Sequence, residues 1–282
     1  MALANGRHTR QLGTLATYAV LITVAALFVL PLAWMISVSL KPDAELLRPS
    51  LLPEHPQFDA FRRVMRSESF DFLLYARNTL IIAALSLVGM VMASAIAAYG
   101  FARIPFRGRN VMFGVCLATM MIPFPVIMVP QYIIFQKLGW IGTFLPLWVP
   151  AWFGAAFNIF LLRQFFMGIP KDLEESAMLD GCSRWACFWR IILPLSKPAL
   201  AVVALFHFLT VWNDLIGPLI YLSHQHQFTL ALGLQFLQSR AGDTPWNQLM
   251  GAATLIVLPV LVLFVLAQRT FIRGIATTGL KG

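Results

Sequence analysis

Residues 169–194 read IPKDLEESAMLDGCSRWACFWRIILP, and this stretch decides how the rest of the chain is read. It spells a helix, a tight turn, a second helix and a sharp stop. Asp172 and Glu175 stand three residues apart just after Pro170, the spacing of a capping box. Leu173, Ala177 and Met178 make one apolar stripe on the first helix. Gly181 admits a backbone conformation, or a close approach, that a side chain would block. Trp185, Phe188 and Trp189 stripe the second helix, and Pro194 with Pro198 marks entry into the next apolar run. Any amphipathic loop lying on a membrane surface would share these features, so the surroundings of the stretch matter.

Those surroundings are apolar. The 282 residues are 59% hydrophobic and 12% charged, where a soluble domain carries about 25% charged residues. The mean hydropathy of +0.75 agrees. Runs of spanning length appear at about 14–38, 78–102, 110–135, 142–163, 198–221 and 250–270, with the stretch above, about 170–195, as the loop between the fourth and fifth. The first run is too long for a signal-peptide core and is expected to remain as a span. There is no internal repeat and no low-complexity tract. The expected fold is therefore all-α: one polytopic membrane domain over 1–282 with six transmembrane helices.

Orientation follows from basic residues, which collect on the cytoplasmic side. With both termini inside, the inner segments hold Arg7, Arg10, Arg103, Arg107, Arg109, Arg163, Lys171, Arg184, Arg190, Lys197, Arg269, Arg273 and Lys281, thirteen of the 21 Lys and Arg. Most of the rest lie between Lys41 and Arg77, where six acids balance them. The net charge of +9 thus belongs to cytoplasmic loops rather than to a nucleic-acid surface. Within that outer segment, Asp59 is placed to cap a short helix whose apolar positions are 58, 61, 64 and 65. Lying on the membrane surface, or packing on the bundle, would suit it equally.

Three further observations narrow the chemistry. None of the five lysines follows a glycine, so the chain has no phosphate-cradling Gly-Lys-Ser/Thr loop. Cys116, Cys182 and Cys187 show neither a disulfide framework nor metal-ligand spacing. His224 and His226 flank Gln225 without a third ligand, and no metal site is expected.

Glu175-Ser176-Ala177, three residues, Gly181, nine residues, then Ile191-x-Leu193-Pro194 resembles the EAA loop of ABC importer permeases, with Ser176 where the family usually has Ala. Met121-Ile122-Pro123-Phe124-Pro125, Trp212-Asn213-Asp214 and the C-terminal Gly279-Leu280-Lys281-Gly282 resemble the carbohydrate branch, the maltose-type second permease. The resemblance implies a cell inner-membrane subunit that is not an enzyme. It would work with a second homologous permease, two ATPase subunits that carry ATP and Mg, an extracytoplasmic solute-binding protein, and membrane lipid around it; no cofactor is expected in this chain. It also implies that Glu175, Ala177, Asp180 and Gly181 form the core of a coupling element seated in the ATPase. Glu174, Met178, Leu193 and Pro194 lie beside that core, and Leu280, Lys281 and Gly282 are a second ATPase contact.

A sugar path calls for flat aromatic faces with amides or carboxylates. Gln131 and Tyr132 behind Pro123, Pro125 and Pro130, Trp152 and Asn158 on the fourth run, and His207, Asn213 and Asp214 on the fifth are the candidates. The three prolines are expected to kink the third span or free its carbonyls. His207 and Asp214, seven residues apart on one helix, would share a face, which leaves a proton-coupled transporter as the rival reading. A permease for another solute (a glycerol phosphate, a polyol, a polyamine) is the nearer alternative.

Overall fold

A computed structural model of the chain describes residues 2–48, 50–67, 70–239 and 246–278. Among these residues every regular element is helical. A long α1 (Ala2–Ser39) is followed by the short α2 (Asp59–Arg66) and the 32-residue α3 (Phe72–Arg103). Next come α4 (Arg109–Ala118), α5 (Phe124–Lys137), α6 (Leu145–Trp148) and α7 (Ala156–Gly168). The loop region holds α8 (Asp172–Leu179), α9 (Arg184–Cys187) and α10 (Leu193–Leu195), the last two joined by a π turn over Phe188–Ile192. The chain finishes with α11 (Lys197–Trp212), α12 (Ile216–Tyr221), α13 (Leu230–Ser239) and α14 (Trp246–Thr278).

Four segments are long and apolar enough to cross a membrane: Gly13–Ser39, Phe72–Arg103, Leu145–Gly168 and Trp246–Gln268. Two bent pairs raise the number to six if each counts as one span. They are Arg109–Met121 with Phe124–Lys137, bent by 97°, and Arg184–Leu195 with Lys197–Trp212, bent by 77°. The expected third span is thus not one straight helix. Pro123 is extended (φ −71°, ψ 142°) and Pro125 sits in the first turn of α5, so the chain stops and restarts there. The expected fifth span, about 198–221, also differs: α11 ends at Trp212, and α12 starts only at Ile216. In the fourth, a 3₁₀ stretch over Val149–Phe153 and Gly154, with φ +76°, precede α7.

The chain divides into two compact units. One holds the residues up to Asp71 together with Phe236–Leu258. In it Asn247, 1% exposed, donates to the Lys41 carbonyl and to Asp43 Oδ1, each at 2.8 Å. Arg63 forks onto Asp43 at 2.8 and 2.9 Å. Its guanidinium holds the Asp43 carboxyl below the usual carboxylate range. Asp59 does not cap α2, which starts from Phe58 without a side-chain cap; the residue is the first of the helix instead. Ala60 and Val64 are buried, and Gly251 on α14 faces Ala60. Packing thus holds α2.

The other unit holds Phe72–Gln235 and the chain from Pro259 on. Its core is Ala95, Ala98, Tyr99, Phe113, Ile159, Leu162, Phe166, Phe188, Ile192, Ala199 and Val203. The alanines on α3 are flat, which lets α7 and α11 lie against it. Phe188 and Ile192 come from the π turn, so the loop of residues 169–194 is anchored in this core by its second half.

Candidate functional site

The candidate site is built around α8. Its start is not capped as the sequence suggests. Lys171 precedes the helix without a side-chain cap, and the Glu174 and Glu175 amides bond the Lys171 carbonyl, so Asp172 and Glu175 form no capping box. The second helix is capped: Ser183 Oγ accepts from the Ala186 amide at 3.2 Å. Between them Gly181 has φ +87° with open space where a Cβ would stand. Its requirement is conformational; nothing approaches it closely.

The two neighbouring glutamates part company. Both line one cleft with Tyr99, Arg103, Lys171, Met178 and Arg184, but Glu175 is exposed. Glu174 is 6% exposed and points inward. Its Oε2 lies 3.0 Å from Arg103 Nε, and both side chains are almost fully covered. Its Oε1 accepts from the Tyr99 hydroxyl at 2.8 Å, and that hydroxyl also lies 3.0 Å from the Arg184 carbonyl. Arg103 then reaches the Phe166 carbonyl in the last turn of α7 at 2.7 Å and the Ile169 carbonyl just past its end at 2.5 Å. The Phe166 carbonyl also accepts the Ile169 amide at 3.2 Å, and a cation is favourable at this end of a helix.

The expected apolar stripe on α8 does not face the core. Leu173 is 45% exposed, Met178 37% and Leu179 90%, while Ala177 is half-buried and Asp180 exposed. Trp185, Phe188 and Trp189 do cluster, with ring centroids 5.3–5.7 Å apart, and Phe188 meets Tyr99 at 5.1 Å. Leu193 packs on the core and Pro194 is exposed. Tyr99 and Arg103 escaped the sequence reading. Arg103 counted only as inner positive charge, although a Tyr and an Arg four apart on one face at a helix end was a usable signal. Leu280, Lys281 and Gly282 lie outside the described residues.

The seven candidates for a solute path occupy different settings. Gln131 is half-buried on α5, and Tyr132 beside it stacks on Tyr221 at 6.3 Å. Trp152 lies in the 3₁₀ stretch rather than on a continuous helix, and donates its Nε1 to the Leu85 carbonyl at 3.1 Å. Asn158 is buried on α7. His207 stays on α11. Asn213 bonds back to the Leu209 carbonyl at 2.8 Å. Asp214 falls in the break after α11, and its Oδ1 accepts from the Gly217 amide at 3.0 Å at the start of α12. His207 and Asp214 therefore do not share one helix face. The break removes the geometric basis of the proton-relay reading.

Comparison with known proteins places this arrangement. The family model described as "Binding-protein-dependent transport system inner membrane component" matches residues 86–277. The chain is 32% identical to the arabinooligosaccharides transport system permease protein AraQ of Bacillus subtilis, over 98% of this chain and 99% of that protein. It is 33% identical to the trehalose/maltose transport system permease protein MalG of Thermococcus litoralis, over 94% and 95%. Its fold matches a chain of a bacterial ABC transporter involved in the import of the acidic polysaccharide alginate. There the TM-score is 0.81 at 23% identity, covering 92% of this chain and 96% of that one.

Proposed function

The chain belongs to the family of binding-protein-dependent transport system inner membrane components, and from that premise we propose that it is a permease subunit of an ATP-driven importer for an oligosaccharide. The observation that carries the substrate class is near full-length similarity to permeases named for arabinooligosaccharides and for trehalose/maltose.

In this reading each bent pair is one span, giving six, with both termini in the cytoplasm. The placement of thirteen basic residues on the inner segments supports that orientation. A second homologous permease completes the path across the membrane. Two ATPase subunits, carrying ATP and Mg, dock beneath, and a solute-binding protein delivers the sugar from outside. The chain itself is a transport component, with hydrolysis on its partners and no cofactor of its own.

The element that meets the ATPase is α8. Its exposed Leu173, Met178 and Leu179 suit a partner's apolar cleft, and Glu175, Ala177, Asp180 and Gly181 shape its surface and turn. The tail at Leu280, Lys281 and Gly282 is a second contact. Tyr132, Trp152 and Asn158, with Gln131, His207, Asn213 and Asp214, line the way for solute.

The test is uptake. Cells lacking this chain are offered a panel of radiolabelled arabino-, malto- and galacto-oligosaccharides, with and without a plasmid copy. Restored, ATP-dependent uptake of at least one supports the proposal. An unchanged uptake profile across the panel contradicts the sugar assignment.

A further inference from the structure

The geometry points to Arg103 and Glu174 as positioning residues, a joint through which movement of α8 reaches the inner ends of α3 and α7. This rests on the reading of α8 as the ATPase-facing element and adds how its movement leaves it.

Three observations support the joint. Glu174 is the one carboxylate of α8 that is buried, and both of its oxygens are engaged, Oε2 by Arg103 at 3.0 Å and Oε1 by Tyr99 at 2.8 Å. Arg103 is the last residue of α3 and also bonds the Phe166 carbonyl in the last turn of α7 at 2.7 Å and the Ile169 carbonyl that follows it at 2.5 Å. One guanidinium therefore ties three helices together. Tyr99, one turn earlier, adds the start of α9 through the Arg184 carbonyl at 3.0 Å.

The alternative route is weaker. The chain leaves α8 through Asp180 and Gly181, where φ is +87° and no atom stands within 4 Å of a Cβ position. The Gly181 and Cys182 amides close that turn onto the Met178 and Ala177 carbonyls of α8, at 3.1 and 2.9 Å, but Gly181 brings no side chain to the core of α3 and α7. The covered ion pair reaches the core directly, and it resists separation because parting the two charges would leave each buried without compensation. A push on exposed Leu179 would thus move α3 and α7 with α8.

The test uses the complete complex, purified from membranes with its ATPase, on a background of Cys116→Ser, Cys182→Ser and Cys187→Ala. Exposed Ile216 on α12 is changed to Cys as a reporter, and its rate of maleimide labelling is compared before and after trapping with ATP and vanadate. With the joint intact, trapping changes the labelling rate. In Glu174→Gln the ATPase should still co-purify and hydrolyse ATP within about twofold of the parent. The trapping-dependent change should fall by about fivefold or more, which is the signature of lost transmission.

A second variant guards against misfolding. Arg103→Cys with Glu174→Cys replaces the ion pair; the exposed reporter thiol is first capped as a mixed disulfide, the covered pair is bridged by a bifunctional maleimide, and dithiothreitol then frees the reporter for labelling. The unbridged protein should behave like Glu174→Gln, and the bridge should restore the labelling change. Several results overturn the joint: a labelling change and hydrolysis that stay in proportion in Glu174→Gln, ATPase lost from that variant alone, or a bridge that restores nothing. An unmodified chain that never brings down an ATPase overturns the reading of α8 itself.

Discussion

The indole of Trp152 lies in the notch that Gly89 leaves on α3, so a Cβ at position 89 would collide with the ring. The ring is fixed there by its bond to the Leu85 carbonyl at 3.1 Å, yet the side chain stays half exposed. Gly89→Leu should therefore destabilise the protein by about 1–3 kcal/mol, the usual effect of overpacking. In a Trp152→Ala background most of that cost should vanish. A double-mutant cycle on thermal unfolding in detergent measures the coupling, and additive effects would show that the two residues do not share the space.

Gly181 makes a different demand, set by its backbone alone. A residue with a side chain at φ +87° is strained by about 1–2 kcal/mol. Asn and Asp tolerate this region better than a β-branched residue, and Asn is the usual replacement for Gly at such a helix end. Gly181→Asp and Gly181→Val should lower uptake by about tenfold while the ATPase still co-purifies, and Gly181→Asn should be milder. Normal uptake in Gly181→Val would remove the turn from the coupling account.

Leu179 tests the docking face. At 90% exposure it contributes little to the folded chain, so Leu179→Asp should leave thermal stability within about 0.5 kcal/mol. If α8 meets the ATPase, the same change places a carboxylate in an apolar contact. Titrating purified ATPase onto the permease should then show binding weakened by about tenfold or more.

Asn247 and Asp43 stabilise the unit that contains α2. Asn247→Ala leaves the Lys41 carbonyl and one Asp43 oxygen without this donor, at a cost of about 1–3 kcal/mol in thermal or denaturant unfolding. Asp43 adds a pH dependence. Its carboxyl is held below its ordinary value, foremost by the hydrogen bonds from Arg63. The stabilisation is therefore complete above the unfolded pKa of about 3.9 and is lost as pH falls through the lower folded value. The melting difference between the parent and Asp43→Asn should be constant from about pH 5 upward and shrink below about pH 4.

How much of this the sequence discloses varies with the physics involved. Length and hydropathy locate the apolar runs because crossing a bilayer demands about 20 apolar residues whatever the packing. The prolines at 123, 125 and 130 signal a disturbed third span, and the chain does break at Pro123. What the sequence hides is direction. Glu174 and Glu175 are chemically identical neighbours, and only their 100° offset on α8 sends one inward to Arg103 and leaves the other exposed. The supposed cap at Asp172 fails for a related reason: the helix begins one residue earlier than the motif requires. The apolar run at 198–221 puts Asp214 on one helix with His207. Its carboxylate instead receives the amide of Gly217 and starts a new one.

The central claim, that this chain is one of two permeases in an ATP-driven importer, is tested most directly by what it holds in the membrane. The tagged chain is drawn from its native membrane in mild detergent and its companions are identified by mass spectrometry. Recovery of a second, homologous permease together with an ATPase is the predicted result. A chain that emerges alone, or only with copies of itself, under conditions that keep other membrane complexes whole would contradict the account.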